Sequence, residues 1–404
     1  MPNSPLSSVH QEGEALLAPY GPESSPILLV QAFDPVPVEY AAIRTGAAVF
    51  DASHRATLEV AGPDRLSFLN SMLTQDLKGL DPWRSLRSFW LNRKGRIDAD
   101  FRVITLPDRV LLDVDAFAAE RARTGLQAFI IAEDCTIADV SARHHRLSLH
   151  GPAAGALLAR LSTPVEGVPI ADIQPGQATR VRIGGADVVV DRHDWAGVIG
   201  LELLVPVEHA ADVYAAISTP WSARHNGGVA PTTDLARRIG WQALNIARIE
   251  AGSVLYYADF GPDSLPAETS DATLNDRVSF KKGCYLGQEV VARMHALGHP
   301  KQRLVTLRIR DAALTPHASV ADASAPAGAY TPQAVTGTPV LASDAPDAPV
   351  VGAVTSSCVS PLLGAAPVGF AMVKWAHSEP GGRVWLGVDG VRLEAEVAAL
   401  GTMV

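Results

Sequence analysis

Ala56-Thr57-Leu58-Glu59-Val60-Ala61-Gly62-Pro63-Asp64 opens the part of the chain whose reading decides the fold. Apolar and polar residues alternate along Ala56 to Ala61, the period of a half-buried strand. Leu66, Leu69, Met72 and Leu73 then recur at helical spacing behind the Gly-Pro turn. The stretch predicts a strand feeding a helix. Strand-like runs follow at Leu86–Leu91, Ile97–Leu106 and Val110–Val114, then a helix over Phe117–Ala132 and a strand through Arg146–Leu149. Hairpin-joined strands with helices on one face are the ferredoxin-like pattern of an antiparallel α+β domain.

The order then recurs. Val60-Ala61-Gly62-Pro63 before the first helix parallels Leu149-His150-Gly151-Pro152 before Ala153–Leu161, an offset of 89 residues. Arg109–Phe117 before a helix parallels Gly200–Glu208 before Ala210–Ile217, an offset of 91. Two nearly equal offsets point to a duplicated unit. Chance is the competing explanation, because Gly-Pro is common at helix starts.

Four stretches result. Residues 1–37, rich in Pro, Ser and Gly, read as a partly ordered leader; 38–149 and 150–300 are two ferredoxin-like-related α+β domains; 301–404 is a C-terminal β-barrel domain. Within the second domain the spacing predicts a long helix from Thr233 to Glu250, capped by Asp234 and stopped by Gly252. In the barrel, Asp389-Gly390 between alternating runs marks a hairpin, and residues 313–337 read as a loop or insertion.

With 404 residues, 47% apolar and 19% charged, the chain has ample material for more than one core. A net charge of -9 argues against nucleic acid and anionic membranes as partners. No run of about 18 uninterrupted apolar residues and no apolar signal region occur, so a cytoplasmic location is expected. Cys135, Cys284 and Cys358 are scattered without a CxxC, which leaves no disulfide framework and no four-thiolate cluster site; any special role falls on one thiol.

That thiol is Cys284, in Val278-Ser279-Phe280-Lys281-Lys282-Gly283-Cys284-Tyr285-Leu286-Gly287-Gln288-Glu289. Two preceding lysines and a helix starting near Gln288 favour thiolate, while a half-buried structural cysteine is the alternative. Gly283 and Gly287 suggest a tight turn or a close approach. Asp98 and Asp100 share one face of a strand, either a solvated face or carboxylates on a cleft. Glu202 interrupts a strand too apolar to be exposed. Arg248 suits the negative end of the long helix, whereas Glu250 opposes it and needs a partner or ligand. His295 and His299 are poorly placed to share a metal ion, and no metal site is expected. No GxGxxG, GxxxxGK[ST], HExxH or GxSxG occurs.

The segment Lys282–Glu289 resembles the signature of the YgfZ family, folate-binding proteins related to the T-protein (aminomethyltransferase) of the glycine cleavage system. Val49–Arg55, Gly62-Pro63-Asp64, Leu73–Asp76, Arg248–Gly252, Leu265–Glu268, Val354-Thr355-Ser356 and Ser360–Gly364 are similar to further motifs of that superfamily, so the resemblance covers residues 38–404. It implies three domains around a central cavity holding tetrahydrofolate or a one-carbon derivative. It further implies that iron-sulfur client enzymes or cluster assembly proteins are partners. By the same resemblance Cys284, Lys282 and Asp100 are the catalytic candidates, and Asp100, Glu202, Arg248, Tyr285, Gln288 and Glu289 bind the cofactor. Ala99-Asp100 stands where the T-protein has paired aspartates, and Leu244-Asn245 where it has Arg-Asp. The implied role is therefore that of an accessory factor supporting iron-sulfur cluster assembly or repair, with folate-dependent aminomethyl transfer or another one-carbon transfer as the alternative.

Overall fold

Gly62 and Gly151 both take positive φ, +108° and +126°. A Cβ there would fall 2.3 Å from the Asp134 carbonyl oxygen and 2.2 Å from that of Gly46, so only glycine fits either turn. Each turn passes a strand into a helix, and the two strand–helix units are the seeds of two sheets. The computed structural model describes residues 4–219, 234–309, 334–388 and 391–400. The chain divides into two units, one of Met1–Arg93, Asp98–Ala247 and Arg277–Leu286, the other of Lys94–Ile97, Arg248–Asp276 and Gly287–Val404.

The first unit begins with helix α1 (Ser7–Glu12), the hairpin β1 (Leu16–Tyr20) and β2 (Ile27–Ala32), helix α2 (Val36–Thr45) and strand β3 (Ala48–Asp51). Next come β4 (Arg55–Ala61), α3 (Arg65–Met72), β5 (Ser85–Leu91), β6 (Ile97–Thr105), β7 (Arg109–Asp115), α4 (Ala116–Gln127) and β8 (Thr136–Asp139). The series repeats as β9 (His144–His150), α5 (Ala154–Leu161), β10 (Thr163–Gly167), β11 (Ala178–Ile183), β12 (Ala186–Arg192), β13 (Gly200–Pro206), α6 (Ala210–Ile217) and β14 (Arg237–Ile239).

One sheet has the order β5-β6-β7-β4-β8 and the other β10-β11-β12-β13-β9-β3-β14. The run β5-β6-β7-β4 and the run β11-β12-β13-β9 share one topology, so the duplication expected from the two offsets is visible in strand order. The second sheet differs by β3, which lies between β9 and β14, antiparallel to the one and parallel to the other. All four residues of β3 are buried. One face of this sheet packs Leu147, Leu149, Val188, Val190, Leu201 and Leu203 against Leu157, Leu158, Val213 and Tyr214 of α5 and α6.

Two expectations need correction. Residues 237–239 of the long predicted helix are strand β14, and the helix spans Trp241–Glu250; residue 233, its expected start, lies outside the described residues. The break falls at Gly240, where a Cβ would sit 2.1 Å from the Gln31 carbonyl carbon. The segment expected as a partly ordered leader is built into the first unit. Leu6 is fully buried, and His10 Nε2 lies 2.6 Å from Asp51 Oδ2, whose other oxygen meets His145 Nε2 at 2.7 Å.

In the second unit six strands close a barrel: β15 (Gln302–Ile309), β16 (Pro339–Leu341), β17 (Val350–Ser360), β18 (Ala366–Lys374), β19 (Arg383–Val388) and β20 (Val391–Ala398), in the order β15-β18-β17-β16-β19-β20. Asp389-Gly390 lies outside the described residues, but Val388 pairs with Val391 across it. Most of the expected insertion over 313–337, namely residues 313–333, also lies outside them. No helix among the described residues is long and apolar enough to cross a membrane.

Candidate functional site

Cross-strand register sets the polar face of the seven-stranded sheet. Glu202 on β13 stands opposite Asp191 on β12 and Ser148 on β9, so the three form one row across the strands. Their neighbours Leu201, Leu203, Leu147 and Leu149 point to the helix side, and period-two alternation sends the row the other way. Glu202 Oε1 accepts a hydrogen bond from Ser148 Oγ at 2.7 Å and one from Trp195 Nε1 at 2.7 Å. Among the described residues nothing bonds Oε2. Burial pushes Glu202 up to about 7; the Ser148 and Trp195 donors oppose the push, and Asp191 and Asp113 add to it.

Behind Ser148 lies His150, with Nε2 2.6 Å from the Ser148 hydroxyl. Gly200 faces His150 across the strands, and a Cβ there would meet His193 O at 2.2 Å and His150 Nδ1 at 3.2 Å. Burial pulls His150 down to about 3, and its Nδ1 has no hydrogen-bond partner among the described residues. His193 is pulled well below its usual value by burial and by the charges of Arg102, Arg87 and Arg277.

Two of those arginines hold Asp100. Arg87 Nη2 reaches Oδ2 at 2.6 Å and Arg277 Nε reaches Oδ1 at 3.1 Å, while the Asp100 side chain is 2% exposed. Asp98, expected on the same face, is half-buried and accepts a bond from Asn92 at 3.2 Å. Nearby, Arg102 Nε pairs with Asp191; Asp113 accepts a hydrogen bond from Arg55 Nε at 3.1 Å and forms an ion pair with Arg146, whose Nε lies 3.1 Å away and donates to Thr57 Oγ1. Arg146 Nη1 and Nη2 are buried without a partner among the described residues. Five guanidinium groups thus meet three aspartates inside this unit, with the carboxyls of Asp115 and Glu202 beside them.

Cys284 is a free, exposed thiol. Lys282, expected to activate it, points elsewhere: Nζ donates to the carbonyl oxygens of Asn70, Leu73 and Gln75 at 2.6, 2.8 and 2.8 Å. Burial pulls Lys282 down to about 8. Its ammonium also lies 5.4 Å from the ring centroid of Tyr285, which is buried and pushed up to about 12. Lys282 therefore fastens the segment to the end of α3. A Cβ on Gly283 would meet nothing within 4 Å, so that glycine serves no close approach; Gly287, at φ +81°, is the left-handed N-cap of helix Gln288–Leu297.

In the second unit Arg248 is 1% exposed and donates to Ser253 O at 3.0 Å, Asp259 Oδ2 at 2.8 Å and Ser356 Oγ at 2.7 Å. Glu250, which needed a partner at its helix end, accepts from Ser360 Oγ at 2.5 Å and Leu362 N at 3.3 Å. Both residues join the helix to β17 and the turn after it. Gln288 is half-buried and Glu289 exposed. His299 stacks on Trp375, and no group of three metal-ligating side chains occurs among the described residues.

Sequence reasoning singled out Glu202 and Asp100 but missed Ser148, His150, Trp195, Arg87 and Arg277. Ser148 and His150 did carry a signal: they alternate with Leu147 and Leu149, which puts the two polar residues together on one face of a strand.

The GCVT N-terminal domain matches residues 9–282 and the glycine cleavage T-protein C-terminal barrel domain matches 302–401. The chain belongs to the glycine cleavage T-protein family. A probable aminomethyltransferase of Natronomonas pharaonis is 29% identical over 402 residues, covering 98% of this chain and 97% of its own. The aminomethyltransferase of Geobacillus kaustophilus is 27% identical over 400 residues, with the same coverage. In fold, the chain is similar to the crystal structure of the glycine cleavage system aminomethyltransferase T from Bartonella henselae, with a TM-score of 0.80 at 21% identity over 100% of this chain and 98% of that one. Residues 283–301, which hold Cys284, lie between the two family spans.

Proposed function

We propose that this chain binds a reduced folate in its first unit, with the pterin edge on Glu202, and acts in the cytoplasm as a folate-dependent aminomethyltransferase. The observation that carries the reading is Glu202 itself: a buried carboxylate whose Oε1 is held by Ser148 and Trp195 while Oε2 has no partner among the described residues. A carboxylate so placed accepts hydrogen bonds from a pterin N–H and amino group. The buried Nη1 and Nη2 of Arg146, without a partner among the described residues, suit an anionic folate, and relatives matching nearly the whole chain are named aminomethyltransferases. A bound tetrahydrofolate supplies ring amines that carry a one-carbon unit. The chain's own residues orient it: Glu202 takes the pterin edge, and Arg87 and Arg277 hold the Asp100 carboxylate on β6 of the other sheet.

A second reading is YgfZ-like support of iron-sulfur enzymes, with those enzymes or cluster assembly proteins as partners. An exposed thiol favours it, carried on a segment that Lys282 pins through three carbonyls. One experiment separates the two. Pure protein is titrated with tetrahydrofolate by calorimetry, then assayed with an aminomethylated lipoyl carrier. Binding that weakens by about 1.5–3 kcal/mol in Glu202→Ala supports the folate site, and unchanged affinity in a folded variant refutes it. Turnover supports aminomethyl transfer; binding without turnover, together with lost iron-sulfur enzyme activity in a deletion strain, supports the second reading.

A further inference from the structure

Trp195 Nε1 can only donate, and it donates to Glu202 Oε1 at 2.7 Å. A proton on Oε1 would oppose the indole N–H, so Oε1 is an acceptor whatever the charge of the group. Ser148 Oγ, also 2.7 Å from Oε1, must then donate to it, since it has no hydrogen to receive there. The hydroxyl has one proton and has spent it, so its contact with His150 Nε2 at 2.6 Å is one it accepts. His150 is therefore protonated on Nε2 and bare on Nδ1. That agrees with its surroundings, because Nδ1 is buried without a partner among the described residues, and a buried acceptor lacking a donor is tolerated better than the reverse.

We propose that Ser148 and His150 are positioning residues for Glu202: a one-way chain of donors from the imidazole through the hydroxyl fixes Oε1 as acceptor and makes Oε2 the only atom of this carboxyl that titrates and meets a ligand. This rests on the reading of Glu202 as a ligand-binding group. The chain decides which ligand edge is taken. With Oε2 ionised the site accepts from an N–H edge; with Oε2 protonated it offers a single O–H and takes an acceptor edge instead. A ligand presenting donors is thus held best above the pH at which Oε2 gives up its proton. The other charged groups facing this centre are Asp191 from β12 and Asp113 from β7 toward Glu202, Asp194 and His193 toward His150, and Arg102 and Arg146 toward Asp191.

The test uses the full-length protein, 5-formyltetrahydrofolate as probe, and calorimetry from pH 5.5 to 8.5. Wild-type affinity rises with pH through a midpoint near 7, where Glu202 ionises. Ser148→Ala removes a donor to the ionised form, so its midpoint moves up by about one pH unit while affinity at the alkaline plateau changes less than about threefold. A Ser148→Ala profile that superimposes on the wild type overturns the proposal. Two arms need no ligand. Imidazole nitrogen spectra of the wild type show His150 as the Nε2–H tautomer, and an Nδ1–H tautomer overturns the chain direction. The infrared band of a protonated carboxyl, assigned by its loss in Glu202→Gln, titrates at higher pH in Ser148→Ala, and an unmoved band overturns the proposal. Should the probe fail to bind the wild type, the folate reading falls while these two arms still decide the chain.

Discussion

The ammonium of Lys282 lies 2.8 Å from the carbonyl oxygen of Leu73, the C-cap residue that follows α3. With the Asn70 and Gln75 carbonyls it uses all three of its N–H donors on backbone acceptors, so this lysine works as a fastener for residues 278–286. Lys282→Met keeps the aliphatic stem and leaves three carbonyls unanswered. Urea unfolding should show a loss of about 2–4 kcal/mol, read as a lower midpoint at unchanged slope. A change under 1 kcal/mol would show that the carbonyls find other donors.

Reactivity of the three cysteines should follow exposure. Burial raises Cys135 and pushes Cys358 up to about 12, whereas Cys284 is open to solvent. Under native conditions iodoacetamide should modify one thiol rapidly, and Cys284→Ser should abolish that phase without altering the melting curve by more than about 1 kcal/mol. Mass mapping that finds Cys358 alkylated first would contradict the structure.

Stability should fall steeply in acid. Burial first, then Arg55, pulls His54 down to about 3, so the folded state binds fewer protons than the unfolded chain between about pH 3 and the ordinary histidine value. The contribution is present above that ordinary value and is lost as pH falls toward 3. From pH 6.5 to 5 it amounts to about 2 kcal/mol for one such histidine. His54 packs against Phe50, Tyr20 and Trp241, with Nδ1 lacking a partner among the described residues, so His54→Phe keeps the packing. The variant should lose about 2 kcal/mol less than wild type over that interval, and parallel pH profiles would rule the histidine out.

Glycine substitutions should separate space from mere composition. Gly200→Ala drives a Cβ into the His193 carbonyl and should cost about 2 kcal/mol or more, whereas Gly283→Ala meets nothing and should stay within about 0.5 kcal/mol by thermal unfolding.

Strands and helices whose signal is local were legible in the sequence. The alternation of Ala56–Ala61, the Gly-Pro turns at 62 and 151, and the apolar runs of the barrel each state their structure within a few residues. β14 was not legible, because Leu235, Ile239 and Leu244 keep helical spacing and only pairing with β3, nearly two hundred residues away, makes Arg237–Ile239 a strand. The N-terminal segment hid for a similar reason: His10 gains its place from Asp51, a partner no local pattern announces. At the candidate site, single acidic residues in apolar strands gave Glu202 and Asp100. Ser148 and Arg87 come from other strands and Arg277 from far along the chain, and only Trp195, in the turn seven residues before Glu202, lies near its acid.

The placement of β3 bears on how the chain is made. Its four residues emerge early in synthesis, yet β9 follows about 100 residues later and β14 about 190 later. At roughly 5–20 residues per second, translation leaves this apolar strand without its last neighbour for roughly 10–40 s. Both repeats are made within that interval, and the edge of β3 that will meet β14 stays open until the second repeat is complete. Anything that shields Val49 and Phe50 on the ribosome should therefore raise the yield of native protein more than any change made within either repeat.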